Sequence, residues 1–177
     1  MGISEQSKQA ITEFLQEWWE SLRWQASQSV AGAELRPMTK EDLYGHLLGL
    51  NLQEIAAAAE GLLPDDPDTR ATVYEGVQTL CEWMWARPGM PNIYSIPWDK
   101  WSATPMGWIV LRALVWAQDD QLLTITEAAR KIGRTIDSVS QAVKRGALPA
   151  YTDPTEINPR RSRRVRLSEA KRWAGVK

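Results

Sequence analysis

The residues that could do chemistry are concentrated in the last third of the chain, and most of them are cationic. Residues 121–177 carry 13 basic and 5 acidic residues, a net charge of +8, and nine of the basic residues are arginines. Five arginines lie within seven positions: Arg160, Arg161, Arg163, Arg164 and Arg166. Guanidinium groups are well suited to phosphate oxygens, so the cluster predicts a polyanionic partner. The alternatives are a solvated arginine loop or a contact with an acidic region of the same chain.

A second set of polar residues just upstream recurs at helical spacing. Asp137, Ser140, Gln141 and Lys144 stand at i, i+3, i+4 and i+7, which places them on one stripe of a helix. Serine, glutamine and lysine can donate to base edges or phosphates, and glutamine can pair with adenine through two hydrogen bonds. Asp137 is expected to accept from a cytosine amino group or an arginine, or to stabilise the helix start. Any solvated helix shows such a stripe, so its meaning depends on the arginines beside it.

Catalytic and metal-binding constellations are missing from the sequence. Cys81 is the only cysteine and His46 the only histidine, which argues against a disulfide framework, a zinc finger and a Cys–His or Ser–His–Asp catalytic site. We therefore predict no enzymatic activity, no metal and no cofactor. The single thiol fits a cytoplasmic protein, and neither a signal peptide nor a membrane span is predicted, since the longest apolar stretch covers only residues 108–117.

The first 120 residues differ from the rest in both charge and pattern. They carry 8 basic and 17 acidic residues, a net charge of −9. Apolar residues recur every three or four positions, which predicts amphipathic helices, the first over about residues 5–30. Further helices, with a break near Gly49, are predicted to start at four capping residues: Thr39, Asn51, Asp66 and Thr104. We predict an acidic, all-helical domain over residues 1–120.

Tryptophan is the most unusual component of this region, because the chain has ten tryptophans and one phenylalanine. Trp98 and Trp101 lie in an aromatic segment between two predicted helices. They could form a pocket for a planar ligand or a peptide partner, but folding back against the helical core is the favoured interpretation.

Other tryptophans occur in pairs that a single helix stripe cannot bury together. Trp18 is followed directly by Trp19, and Trp83 is separated from Trp85 by one residue. Neighbouring side chains on a helix point in different directions, so some apolar surface is expected to stay outside the core. We therefore predict a homodimer formed through residues 1–120, with a protein partner as the alternative.

The elements that carry the basic residues follow a recognisable order. Thr126 is predicted to cap a short helix over residues 127–132, and Thr135 a second helix over residues 136–145. Gly133 provides the tight turn between them. Two short helices joined by a glycine-containing turn make a helix-turn-helix unit.

A β-hairpin, or wing, is predicted to follow this helix pair. Its strands are expected at residues 148–151 and 163–167, separated by a turn-rich segment with two prolines. Ser168 is predicted to cap a last helix over residues 169–174. The predicted fold is thus mainly α, a Trp-rich helical domain followed by a small winged helix-turn-helix over residues 121–177.

This order of elements resembles the winged helix-turn-helix of the MerR and excisionase superfamily, over about residues 122–174. The resemblance is carried by four segments: residues 124–129, residues 132–135, the Gly146-x-Leu148-Pro149-Ala150 motif with Val139 before it, and residues 164–168. Two features differ from the family. Ser140 and Ala142 stand where members often have an aromatic residue, and the wing between Tyr151 and Arg163 is longer.

The resemblance implies that the second helix enters the major groove of double-stranded DNA while the wing arginines hold the backbone or the adjacent minor groove. Ser140, Gln141 and Lys144, with Asp137, are the expected base-reading residues. Arg134 and Arg145 join the five clustered arginines as expected phosphate contacts. We predict a sequence-specific DNA-binding protein, a transcriptional regulator. An excisionase-like or segregation-type adaptor of a phage or plasmid, and a protein- or RNA-interaction module, are the alternatives.

Overall fold

The computed structural model of the chain describes residues 2–29, 35–85, 97–159 and 161–176. Within these ranges the protein is mainly helical, as the sequence predicts. It has one small antiparallel sheet of three strands, one strand more than the predicted hairpin. Arg160, the aromatic segment before Pro97 and the side chains of Trp83 and Trp85 lie outside the described residues.

Six helices form the first part of the structure, which we call the helical body: α1 (Glu5–Ser29), α2 (Lys40–Gly45), α3 (Leu47–Ala59), α4 (Pro67–Trp85), α5 (Trp98–Trp101) and α6 (Pro105–Ala117). Helix α6 lies at the centre and packs against α1, α3 and α4. Its apolar side chains surround the axis almost completely, and Val110 and Ala113 are fully buried. A helix that is apolar nearly all round belongs in the middle of a core, and α6 lies there.

Several helix starts agree with the sequence. Thr39 accepts from the Asp42 N–H while the Asp42 carboxylate accepts from the Thr39 N–H, a reciprocal capping box. The Asp66 carboxylate accepts from the Thr69 N–H at 2.9 Å, and Thr104 caps α6.

One predicted helix start is wrong. Asn51 lies inside α3, and the chain breaks at His46 rather than near Gly49. The reason is that His46 adopts an extended backbone and accepts the Leu48 N–H on its imidazole Nδ1 at 3.3 Å, so the lone histidine is the cap. Gly49 packs instead against the carbonyl of Tyr44, where a side chain would collide.

The second part, which we call the C-terminal unit, alternates short strands and helices: β1 (Leu122–Thr124), α7 (Ile125–Lys131), α8 (Ile136–Lys144), β2 (Tyr151–Thr152), β3 (Arg163–Arg166) and α9 (Leu167–Ala174). The strand order is β1-β3-β2, with both pairs antiparallel. A separate apolar cluster forms its interior, in which Ala128, Val139 and Val165 are fully buried. Small alanines let α7 and α8 approach each other closely.

Two capping predictions in this unit are wrong. Thr126 does not cap α7. Thr124 does, in a capping box with Glu127, because β1 runs directly into the helix and its last residue already has the extended backbone of a cap. Ser168 does not cap α9 either, since the helix begins at Leu167. Its hydroxyl donates to the carboxylate of Asp120 at 2.5 Å instead.

The two parts are joined by apolar contact and by hydrogen bonds. The ring of Tyr151 packs among Trp108, Leu111 and Val115 of α6. The Thr152 N–H donates to the hydroxyl of Ser102, which is completely buried, at 3.2 Å. The C-terminal unit is therefore seated on the helical body through β2.

Trp98 and Trp101 lie at this junction. Their rings contact each other, with centroids 5.3 Å apart and planes inclined by 45°. Both side chains are half-buried and pack against the core of the helical body, and Trp98 also touches the junction cluster. Gly107 has no side chain, and the carbonyl of Trp101 occupies the space that one would need. The tryptophans close the end of the core.

Candidate nucleic-acid interface

Helix α8 is held in place at its start and along one face. Thr135 caps it by accepting the Ser138 N–H at 3.2 Å. The preceding turn contains Gly133 with a φ of +66°, a conformation that a side chain disfavours. Val139 and Ala142 are buried against α7 and the rest of the small core. The opposite face of α8 is consequently fixed in orientation and points to solvent.

The predicted base-reading residues lie on that outer part of α8. Asp137, Gln141 and Lys144 are exposed, whereas Ser140 is half-buried. Asp137 is in the first turn, where a carboxylate is stabilised by the helix dipole. The structure thus brings the four predicted residues onto one connected surface, with Ser140 at its edge.

A groove separates α8 from the segment that leads into β3, and we call it the α8 groove. Its volume is about 770 Å³ and its lining residues are Ile125, Ile136, Ser140, Val143, Lys144, Pro159 and Arg163. Lys144 and Arg163 contribute two cations to the same groove, and Ser140 contributes a hydroxyl. These groups can receive an extended chain of phosphates.

The predicted phosphate-binding arginines divide into two groups, and the first is exposed. Arg145, Arg161 and Arg163 are exposed, and among the described residues their guanidinium groups have no carboxylate or hydrogen-bond acceptor. Arg134 is exposed as well, and one of its nitrogens donates to the carbonyl of Ala174 at 3.1 Å. These four side chains are available to an external anion.

The second group, Arg164 and Arg166, is used inside the protein. Arg164 forms an ion pair with Asp153 at 2.8 Å, and the two side chains are 17% and 9% exposed. Arg166 forms an ion pair with Asp120 at 3.0 Å and also donates to the Gln118 side chain at 2.5 Å. Alternate residues of a strand share a face, so both arginines lie on the side of β3 opposite to buried Val165. Sequence reasoning grouped them with the exposed arginines because composition does not show the partner acids.

Asp120 was missed by sequence reasoning as a key residue of this region. Its side chain is 6% exposed and lies directly after α6, where the two parts of the structure meet. It accepts from Arg166 Nε, from the Ser168 N–H at 3.1 Å and from the Ser168 hydroxyl. Burial alone would raise the pKa of Asp120, but hydrogen bonds from Ser168, from the Gln121 N–H and from Arg166 outweigh it and hold the pKa below its usual value of 3.8. The adjacent pair of acids after a helix was its only signal in the sequence.

Most acidic residues of the C-terminal unit likewise form hydrogen bonds or ion pairs with groups of the same unit. Glu127 belongs to the α7 capping box, and hydrogen bonds from Thr124 lower its pKa. Asp153 holds Arg164, and the carboxylate of Glu156 accepts the Asn158 N–H at 3.0 Å. The remaining acid on the outer face of α8 is Asp137. Since 13 basic residues stand against five acids, and only Arg164 and Arg166 form ion pairs among the described residues of this unit, its outward charge is strongly positive.

Glu169 is an acid with one buried carboxylate oxygen that lacks a hydrogen-bond partner among the described residues. Its Oε1 accepts from the Tyr151 hydroxyl at 2.8 Å, and the buried oxygen is Oε2. Burial raises the pKa of Glu169 above its ordinary value, in spite of the hydrogen bond from Tyr151 and the charge of Arg166.

Among the described residues no group of three or more His, Cys, Asp or Glu side chains could hold a metal ion. Cys81 is buried in the helical body, and burial raises the pKa of its thiol to about 12. That thiol is therefore neutral and unreactive at pH 7. In the part of the chain that the structure describes, every helix is too short or too polar to cross a membrane.

Comparison with known proteins identifies no relative of this chain. No protein-family model matches it, and no curated protein or solved structure shows significant similarity to it.

Proposed function

We propose that the C-terminal unit is a winged helix-turn-helix that binds double-stranded DNA, with α8 as the recognition helix and the β2–β3 hairpin as the wing. One observation carries the proposal. The polar face of α8 and the exposed arginines Arg145, Arg161 and Arg163 belong to one unit, and Lys144 and Arg163 meet in the groove between helix and wing. Their positive charge is not neutralised by acids of the same unit.

The dimensions suit this mode of binding. An α-helix with its side chains is about 10–12 Å wide and the major groove of B-DNA about 12 Å, so α8 fits with its outer face against the base edges. Gln141 and Lys144 are placed to contact bases, with Ser140 and Asp137 at the margins. One DNA strand would then run through the α8 groove, where Lys144 and Arg163 contact its phosphates.

Arg134, Arg145 and Arg161 are exposed and would add further phosphate contacts, and Arg160, which lies outside the described residues, stays a predicted contact. Arg164 and Arg166 contribute through the fold, because they hold the wing sheet in place through Asp153 and Asp120. The role that we propose is that of a transcriptional regulator in the cytoplasm, with an excisionase-like or segregation-type DNA-binding adaptor as the alternative.

The test is selection of binding sites from a pool of random duplexes by the full-length protein, followed by affinity measurement at several salt concentrations. We expect an enriched sequence and an affinity that falls steeply with salt, since each phosphate contact contributes about −0.9 to the slope of log K against log salt. If no sequence is enriched and the protein shows no measurable binding to duplex DNA at low salt, the proposal is overturned. Single-stranded RNA and an acidic polypeptide serve as competitors, and preference for either would favour an interaction module of another class.

We further propose that the helical body forms the homodimer that the sequence predicts. Trp18 and Trp19 both pack partly against the core, so the support comes from other side chains. Leu47 and Leu50 are exposed beside an apolar groove between α3 and α4, and Trp24 is exposed on α1. Two units fixed on one dimer would read two half-sites. Sedimentation of the full-length protein tests this, and a monomer at tens of micromolar would leave this surface to a protein partner instead.

A further inference from the structure

One side chain of the proposed wing is exposed to an unusual degree. Ile157 is 96% exposed, the highest value of any large apolar residue that the structure describes. Isoleucine is among the residue types most often buried in folded proteins. Ile157 lies near the midpoint of the β2–β3 loop, residues 153–162.

The loop that carries Ile157 is held by its own hydrogen bonds. Asp153, which is buried, accepts from the N–H and the hydroxyl of Thr155 on Oδ1 and binds Arg164 through Oδ2. At the other end of the loop, the Ser162 N–H donates to the Asn158 carbonyl at 2.9 Å, and the Asp153 N–H donates to the Ser162 carbonyl at 2.8 Å. Residues on both sides of Ile157 are therefore tied to the loop by hydrogen bonds.

Several residues that follow Ile157 in the chain line the α8 groove or are exposed cations. Pro159, two positions later, lines the α8 groove together with Arg163, and Arg161 is exposed between them. The neighbouring carboxylate of Glu156 is held back on the loop by the Asn158 N–H. An isolated exposed apolar residue is ordinary on protein surfaces. Isoleucine is one of the apolar residues that DNA-binding proteins insert between base pairs, and here it stands in a loop that also carries an exposed arginine.

We infer that Ile157 is an apolar wedge: when α8 lies in the major groove, Ile157 enters the flanking minor groove, separates two stacked base pairs and bends the duplex. This inference rests on the proposed DNA binding and adds a deformation to it. Apolar side chains inserted in this way kink DNA by about 20–90° toward the major groove. Pyrimidine–purine steps unstack most easily, so the selected binding sites should carry such a step outside the base pairs that α8 contacts.

The experiment uses energy transfer between dyes at the two ends of a duplex carrying the selected site. At about 20 base pairs, the ends are about 68 Å apart when the duplex is straight, and a bend brings them closer. The proteins compared are the full-length wild type, Ile157→Ala and Ile157→Leu. The matched control is Leu35→Ala, which truncates an exposed leucine of the helical body outside the proposed dimer surface, 37% exposed.

We expect wild type and Ile157→Leu to raise the transfer, Leu35→Ala to match wild type, and Ile157→Ala to bind without raising it. The affinity of Ile157→Ala should fall by no more than about tenfold, because unstacking offsets much of the gain from burying the wedge. Equal transfer for wild type and Ile157→Ala, with both bound, would overturn the wedge and leave the proposed function intact. Absence of binding by the wild type would overturn both.

Discussion

The helical body and the C-terminal unit use their charges in opposite ways. In the helical body the cations Lys8 and Arg70 are paired, with Glu5 and with Asp65 and Asp119, and acids prevail on the surface. In the C-terminal unit four of the five acids serve caps, loops and ion pairs, so exposed arginines prevail. Net charge alone shows the asymmetry between the two parts. The pairing shows which charges are left for a partner.

The same contrast appears within a single strand. Arg163 is exposed toward the α8 groove, whereas Arg164 and Arg166 are turned to Asp153 and Asp120. Neighbouring residues of one type and one charge thus have separate tasks, contact with phosphate for the first and support of the fold for the others.

The largest effect is expected at Asp120. Asp120→Asn should lower the free energy of unfolding by about 3 kcal/mol, because loss of one partner leaves the charge of Arg166 partly buried and uncompensated. Asp119→Asn is the matched control. Asp119 is exposed with its side chain 85% accessible, so this change should alter the free energy by less than about 1 kcal/mol. Urea unfolding of both variants is the measurement, and equal losses would show that Asp120 does not hold the junction.

The Asp120 effect should also depend on pH. Because the pKa of Asp120 lies below 3.8 in the folded protein, its stabilisation is present above pH 3.8 and lost as the pH falls through the folded pKa. The difference in unfolding free energy between wild type and Asp120→Asn should therefore be constant near neutrality and shrink below pH 3.8. Urea titrations at a series of pH values would show it. A difference that persists unchanged in acid would assign the effect to packing.

Arg164 and Arg163 give the next contrast. Arg164→Ala should lower the free energy of unfolding by about 2–3 kcal/mol, since Asp153 then lacks its charged donor. Arg163→Ala should leave it within about 0.5 kcal/mol and instead reduce the salt slope of DNA binding by about 1. Thermal unfolding and salt titration on each variant separate the two roles. Similar behaviour of the two variants in both assays would remove the distinction.

Gln141 tests base recognition rather than backbone contact. Gln141→Ala should relax preference at one or two base pairs by about 1–3 kcal/mol if its amide makes two hydrogen bonds to a base. Gln25→Ala, on the exposed surface of α1, is the control and should leave the preference unchanged. Competition across a library of site variants provides the measurement. An unaltered preferred sequence in Gln141→Ala would mean that another face of α8 meets the bases.

The smallest effect is expected at Glu169, whose pKa is raised by burial. The folded protein takes up this proton at a higher pH than the unfolded chain does, so wild type should gain stability relative to Glu169→Gln as the pH falls toward 4.5. At pH 7 the two proteins should differ by less than about 1 kcal/mol, because removal of the buried charge offsets the altered bond to Tyr151. Urea unfolding of both proteins at pH 7 and pH 5 is the measurement. If the difference in unfolding free energy between wild type and Glu169→Gln is the same at both pH values, the raised pKa is contradicted.

The sequence predicted those features that neighbouring residues determine. Thr39, Thr135 and Gly133 act within one turn of themselves, and the polar stripe of α8 follows from helical periodicity. The partners of Arg164 and Arg166 lie 11 and 46 positions away, at sites that only the folded chain brings near. Errors at Thr126 and Ser168 have a similar origin, since pairing of β1 with β3 determines where the adjoining helices begin.

The most direct test of the account is the salt dependence of DNA affinity in two triple variants of equal charge. One variant replaces Arg145, Arg161 and Arg163 by alanine, and the other replaces the exposed cations Arg36, Lys40 and Lys100 of the helical body. We predict that the first variant makes the negative slope of log K against log salt shallower by about 2.7, the value for three lost phosphate contacts. The second variant should keep the wild-type slope. Equal slopes in the two variants would contradict a DNA interface on the C-terminal unit.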